Sequence, residues 1–286
     1  MPDAAVPDLV DPDWLAARLG DPHVRPVDVI FRMPGLERDL RAEFADRHIP
    51  GAVLFDVDDI AAPGTDLPHM LPPPEVFAPK VGALGIGSDD TVVCYDAFGL
   101  LSAARGWWML RAMGHERVAV LDGGLPRWLA EGRPAESGEP ALQPRRFTAR
   151  PRPELVRSRQ EVAAALERRA EQVVDVRSAD RFTGAVPEVW PGRRAGHIPG
   201  SRNLPWPDLV GPDGRLLPPD RLAERLAAAG IDRARPVVAS CGSGVTACLL
   251  ALALHRLGAR DAAVYDGSWA EWGLSDDLPV AVGAED

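Results

Sequence analysis

The chain reads as two copies of one pattern, and that repeat limits its fold more than any other feature. PVDVIF (26–31) pairs with VVDVRS (173–178), and RHIPGA (47–52) with GHIPGS (196–201). TVVCYD (91–96) pairs with PVVASC (236–241), and VLDGGLPRW (120–128) with VYDGSWAEW (264–272). The four matches keep one order and lie 144 to 149 positions apart. A length of 286 residues is about twice that of one ordinary domain. Hydrophobic residues make up 46%, enough for each copy to bury a core of its own.

Within each half, short β-branched runs alternate with segments of helical spacing. In the second half QEVAAALERRA (160–170) precedes the strand VVDV, and RLAERLAAAG (221–230), with Gly230 closing the helix, precedes PVVAS. VTACLLALALHRLG is apolar on nearly every side, the pattern of a helix buried in a core. Alternation of this kind predicts an α/β fold, each half a mostly parallel sheet flanked by helices. EGRPAESGEPALQPRR (131–146), rich in Pro, Gly and charge, reads as the connection. The division is a first domain 1–135, a linker 136–150 and a second domain 151–286. Trp107, Trp108, Trp128 and Trp272 are expected in the cores, and Trp269 and Trp206 at a cleft mouth. His48 and His197, in the paired HIPG turns, are expected to pack rather than catalyse.

A net charge of −10 offers no basic field to a nucleic acid. No apolar run is long enough to cross a bilayer. The opening MPDAAVPDLVDPDW lacks the basic start and apolar stretch of a secretory signal, and three cysteines in so large a chain suit a reducing compartment. The expectation is a cytoplasmic protein, monomeric or weakly dimeric. No Cys/His cluster has metal-ligand spacing, so no metal is expected. Cys248 lies two helical turns from Cys241, too far for an unstrained disulfide.

Chemistry concentrates in VVASCGSGVTACLL. A buried strand ends at Ser240, a glycine-rich turn follows, and a helix begins near Val245. Gly242 and Gly244 free the backbone so that successive N–H groups, including those of Val245 and Thr246, can face one centre, and the helix terminus adds its own donors. Such a cradle favours a thiolate over a thiol. An ordinary cysteine is only about 3% ionised at neutral pH, so the gain in nucleophile is direct. A cysteine phosphatase would need an arginine six positions after the nucleophile, to clamp phosphate with two hydrogen bonds; that position is Ala247.

With the doubled HIPG, the DGG/DGS-x-x-x-W pair and CGSGVT, the chain resembles the tandem-domain rhodanese family over about residues 8 to 283. Within that family FADRHIPGAVLFDVDDI, LPHMLPPPEVFA, SAARGWWMLRAMGH and YDGSWAEW are most similar to the 3-mercaptopyruvate sulfurtransferases. The loop is neutral, whereas thiosulfate sulfurtransferases usually carry a basic one. The resemblance implies two rhodanese-like domains, the first non-catalytic with Asp96 at the cysteine position. It implies a persulfide on Cys241 formed from a small anionic sulfur donor, with no cofactor and a thiol, cyanide or thioredoxin-like acceptor. It also implies proton transfer assisted by Ser243, Asp56 and His69, and a donor carboxylate or sulfonate group held by Arg181. Two positions depart from that branch. Trp190 stands where a second arginine is typical, leaving Arg193 or Arg194 as substitutes, and Leu101 where a tyrosine is common. Thiosulfate as the donor, or a module relaying persulfide from a partner protein, are the alternatives.

Overall fold

The β-branched runs become strands and the flanking helical segments cover them. The computed structural model describes residues 6–259 and 262–284. The first five residues of the N-terminal stretch read above, and the last two of the second domain, lie outside the described residues. The first half carries β1 (Leu9–Val10), α1 (Pro12–Ala16), β2 (Val24–Ile30), α2 (Leu40–Asp46), β3 (Val53–Asp56), α3 (Val57–Ile60), α4 (Pro74–Ala83), β4 (Thr91–Tyr95), α5 (Ala103–Ala112), β5 (Val118–Leu121) and α6 (Gly124–Ala130). The second carries β6 (Val156–Arg157), α7 (Arg159–Arg168), β7 (Gln172–Asp175), α8 (Ala179–Phe182), β8 (Arg202–Asn203), α9 (Pro219–Ala228), β9 (Val237–Ser240), α10 (Ala247–Arg256), β10 (Ala263–Tyr265) and α11 (Ser268–Trp272).

Both sheets have five strands, all paired in parallel, in the orders β1-β5-β4-β2-β3 and β6-β10-β9-β7-β8. The duplication therefore extends from sequence to topology, and down to single contacts. His48 Nδ1 lies 2.8 Å from the Phe44 carbonyl and the ring stacks on Phe44; His197 Nδ1 lies 2.9 Å from the Phe182 carbonyl and stacks on Phe182. Both HIPG histidines are packing residues.

The apolar helices are buried between the halves as well as against their own sheets. Every residue of α5 is buried, as is α10 from Ala247 to His255, and the two helices pack on each other. Their contact merges the cores of both halves into one continuous cluster. Trp107, Trp108, Trp128 and Trp272 are all core, as expected. Two aspartates make the join reciprocal. Asp122, after β5, accepts from the Leu216 amide of the second half at 3.0 Å, and Asp266, after β10, accepts from the Leu71 amide of the first at 2.6 Å. The Pro/Gly-rich connection does not hang free. Glu136 bridges to His48, the Arg145 amide donates to Gly82 O (2.8 Å), and the Arg150 amide donates to Met113 O (2.7 Å), strapping the segment along the first half.

Gly106 shows how close this packing is. A Cβ there would stand 2.6 Å from Val29 Cγ2 and 3.2 Å from Cys94 Sγ. Both neighbours are buried in the sheet, so neither yields cheaply. Gly106→Ala is expected to lower stability by about 1–3 kcal/mol despite alanine's better helix propensity, read as a drop in unfolding midpoint; an unchanged or raised midpoint would contradict the contact.

Candidate active site

Cys241 follows β9 at the carboxyl edge of the second sheet, where ligands of open α/β sheets bind. Its side chain lies at the bottom of the site, 2% exposed. The Cys241 amide donates to Ser268 Oγ (3.1 Å), which donates onward to Tyr265 O (2.7 Å). Ser268 holds φ +48°, unusual for a non-glycine residue, at the position Gly124 occupies in the first half with φ +54°. The strained backbone is held by that pair of hydrogen bonds. Further along, Trp269 N donates to Cys241 O and Ala270 N to Gly242 O, so α11 clamps the loop from outside. The amides of Gly242, Ser243, Gly244, Val245 and Thr246 donate to no protein acceptor among the described residues. Gly244 is required there: its φ is +79°, and a Cβ would come within 2.5 Å of Asp266 O.

The first half shows what such a loop holds. Asp96, at the cysteine's place, is wholly buried and accepts from the amides of Phe98 (2.8 Å), Ser102 (2.7 Å) and Ala103 (2.8 Å). Burial pushes its carboxyl above the ordinary value, and the loop amides pull against that rise. The cradle in that half is occupied by the protein's own acid; in the second half the same turn presents sulfur.

Across the domain boundary stands His69, buried, in a left-handed backbone turn (φ +63°). Its Nδ1 is 2.9 Å from Ser243 Oγ; its Nε2 is 2.8 Å from Arg32 O and 3.5 Å from Asp58 Oδ1. A carbonyl can only accept, so the proton belongs on Nε2 and the Nδ1 lone pair receives the Ser243 hydroxyl. Burial alone would raise the Asp58 carboxyl; the hydrogen bond and charge of His69, with Arg32, outweigh it and hold Asp58 below the usual carboxylate range. The carboxylate facing His69 is thus Asp58, and the expectation for Asp56 needs correcting. Asp56 caps α3, accepting from the amides of Asp58 and Asp59, and its other oxygen binds Arg32 (2.6 Å) and Arg41 (2.5 Å). FDVD offers two acids two residues apart at a strand–helix junction, and only the turn decides which one caps.

Arg181 and Trp190 roof the loop. A Cβ on Gly242 would lie 2.9 Å from Arg181 Nη2 and 3.6 Å from Trp190 Nε1. Arg181 is tied to Glu188 (2.5 Å), a buried acid shared with Arg177 (2.6 Å). The Trp190 ring meets His69 edge-on at 5.6 Å. Arg193 braces the same loop through Ala270 O (3.0 Å) and Pro191 O (2.6 Å). Arg194 is spent on the carbonyls of Trp272, Gly273, Ser275 and Leu278, so it anchors the end of α11 instead of facing the cleft. Trp269 is not at the mouth either: it is 1% exposed, with the Arg177 guanidinium over its ring and Nε1 donating to Arg194 O. Trp206 packs half-buried against the main core. Trp190 is the aromatic that meets His69 and stands over Gly242.

The remaining thiols differ in kind. Burial raises both Cys94 and Cys248, the latter to about 12 even with Arg105 beside it, so each stays protonated.

The Rhodanese-like domain model matches residues 11–131 and 158–275. The chain belongs to the rhodanese family. Among relatives, the Arabidopsis thaliana mitochondrial thiosulfate/3-mercaptopyruvate sulfurtransferase 1 is 43% identical over 95% of this chain and 77% of its own. The 3-mercaptopyruvate sulfurtransferase of Escherichia coli K12 is 42% identical over 95% of this chain and 97% of its own. The crystal structure of SseA from Escherichia coli, described as a 3-mercaptopyruvate sulfotransferase, superposes with a TM-score of 0.84 at 40% identity, covering 92% of this chain and 98% of that one. This rhodanese therefore spans its bacterial relative nearly end to end, with two such domains.

The contrast between the two acids is testable. Asp58→Asn is expected to slow the reaction of Cys241 with a sulfur donor on the order of 100-fold, the scale of lost proton-transfer assistance. Asp56→Asn keeps a good helix cap and should change that rate by less than about threefold. Single-turnover kinetics on both variants decide it; equal losses would remove Asp58 from the relay.

Proposed function

We propose that this rhodanese is a sulfurtransferase that takes sulfur from 3-mercaptopyruvate and passes it to a thiol or cyanide through a Cys241 persulfide. The observation that carries this reading is the row of amides from Gly242 to Thr246, unpartnered among the described residues, joined through Ser243 to His69 and Asp58 of the other half. Ionising an ordinary thiol at neutral pH costs about 2 kcal/mol. A hydrogen bond to a charged group contributes about 1.5–3 kcal/mol, so two amides donating to the sulfur as it reacts would be enough to offset it.

The thiolate attacks the donor's sulfur, the S–S bond forms, and the C–S bond breaks with its electron pair moving onto carbon as the enolate of pyruvate. Ser243, whose hydroxyl is linked to His69, is placed to hand that carbon a proton. The outer sulfur then leaves to an acceptor thiolate or cyanide, and Cys241 returns as thiolate. The transferred group rides on the protein's own sulfur, so the cycle requires no cofactor. Free buried cysteines and a nucleophilic thiol suit a reducing aqueous compartment, and we assign the protein to the cytoplasm with a small thiol or thioredoxin-like acceptor.

The weakly charged roof over the Cys241 loop fits mercaptopyruvate better than thiosulfate, even with Trp190 where that branch typically carries a second arginine. Thiosulfate is a compact dianion that gains most from excess positive charge, and the roof offers Arg181, already paired with Glu188, beside a neutral indole. A single carboxylate on a flat carbon skeleton suits a fork plus an aromatic edge better. Trp190→Arg, which restores the arginine typical of the mercaptopyruvate branch, is expected to raise kcat/KM for 3-mercaptopyruvate by about tenfold, equal to about 1.4 kcal/mol. A wild-type preference for thiosulfate would overturn the donor assignment.

Intact-protein mass spectrometry after exposure to 3-mercaptopyruvate tests the whole reading. One added sulfur on Cys241, removed by cyanide and absent in Cys241→Ser, is the expected result. Turnover surviving in Cys241→Ser would refute it.

A further inference from the structure

The duplicated halves treat one buried acid differently. In the second half Asp175, at the end of β7, holds the Arg177 guanidinium: Nε lies 2.9 and 3.1 Å from its two oxygens and Nη2 2.6 Å from one of them. Nη2 also donates to Gly196 O (2.8 Å), and the guanidinium lies over the Trp269 ring at 4.5 Å. Strand register equates Asp175, opposite Ser240, with Asp28, opposite Tyr95. Two positions on, Arg177 is replaced by Ile30, and in the paired DGG/DGS turns Trp269 is replaced by Leu125. The acid is kept; both the cation and the ring that covers it are gone.

In their place is an open cavity of about 500 Å³ that reaches Asp28, Ile30 and Leu125 and is walled by Leu40 and Phe44. That volume is in the range of about 300–1,000 Å³ usual for small-molecule sites. Asp28 is 2% exposed and its Oδ1 has no hydrogen-bond partner. With no cation paired to it among the described residues, it is pushed well above the carboxylate range by burial and by the neighbouring Asp96, against the pull of a hydrogen bond from Tyr95. Arg47, the counterpart of Gly196, also lines the cavity, and its carbonyl accepts no hydrogen bond among the described residues. Arg38 at the rim does not fill the gap: its guanidinium is bound by Glu43 and lies over Phe98 at 4.3 Å.

We infer that this cavity binds a guanidinium group on a short apolar stem, gripped by Asp28 and the Arg47 carbonyl as Arg177 is gripped by Asp175 and the Gly196 carbonyl. The ligand is a free alkylguanidine or an arginine side chain presented by another molecule; the chemistry recognised is the same. A planar fork matches a carboxyl and a carbonyl side by side, which a round ammonium cannot do. None of its lining residues belongs to the Cys241 loop or to the Ser243, His69 and Asp58 contacts, so its test does not depend on the sulfurtransferase reading.

Isothermal titration of the full chain with N-butylguanidinium is the direct experiment, with N-butylammonium and N-butylurea as stem-matched controls. Saturable binding with a Kd of about 1 mM or tighter is expected, at least about tenfold stronger than either control. Asp28→Asn should weaken it by about tenfold or more, and Ile30→Arg, which supplies the missing guanidinium from within, should abolish it while raising the unfolding midpoint. Cys241→Ser should bind as wild type. A capped Gly-Arg-Gly peptide binding at least as tightly as N-butylguanidinium would identify a presented arginine as the ligand's source, and weaker binding a free molecule. No saturable binding, equal binding of the urea, or an affinity untouched by Asp28→Asn would overturn the inference. The isosteric Asp28→Asn keeps the test decisive should Ile30→Arg fail to fold.

Discussion

The composite site depends on one guanidinium. Arg105, wholly buried on α5 of the first half, lies 2.8 Å from Asp266 Oδ1 of the second, a charge contact whose angle falls short of a hydrogen bond. It donates to Gly244 O at 3.2 Å and to His69 O, and it lies over the Trp108 ring at 4.6 Å. One side chain therefore holds the loop bearing Cys241 and the turn bearing His69 at a fixed separation. Burying a charge pair costs several kcal/mol in lost hydration, and its attraction does little more than offset that. What the arrangement contributes is registry between two loops on halves that a shared core already joins.

That registry explains why a chain with a single nucleophile keeps two domains. The thiol and the hydroxyl of Ser243 come from one half, the imidazole and the Asp58 carboxylate from the other. Duplication supplied two copies of an anion-holding turn. The first holds the carboxylate of Asp96, which cannot attack sulfur, and thereby became a rigid partner; the second keeps a thiol with amides to spare. The same divergence recurs at Asp28 and Asp175, where one half retains its internal cation and the other retains only the acid.

Local features were read correctly where the physics is local. The repeat, the parallel alternation and the Cys241 turn follow from periods and glycines in short windows, and Gly230 does take the left-handed turn (φ +69°) that ends α9. Errors arose wherever a side chain's partner is distant in sequence. Asp56 and Asp58 are indistinguishable as letters; one caps α3 and the other meets a histidine eleven residues on, through a turn no periodicity reveals. Arg194 looked like a substitute for a missing arginine but is drawn to four carbonyls of the segment after α11. Trp190 looked like a loss and proves to stand over the nucleophile's loop. Arg105 and Ser268 carried one usable signal each, a charge inside an apolar helix and a serine where the sister turn has glycine.

By itself the sequence determined a two-fold repeat of parallel α/β units and a sulfur at the mouth of a helix. Hydrophobic period and backbone freedom act over a few residues and are written in them. Tertiary structure alone decided which acid faces His69, which arginines remain at the cleft, and where the first half lost a cation. Those outcomes turn on distances across the fold, and the energy of a buried charge is set by whichever group lies opposite it.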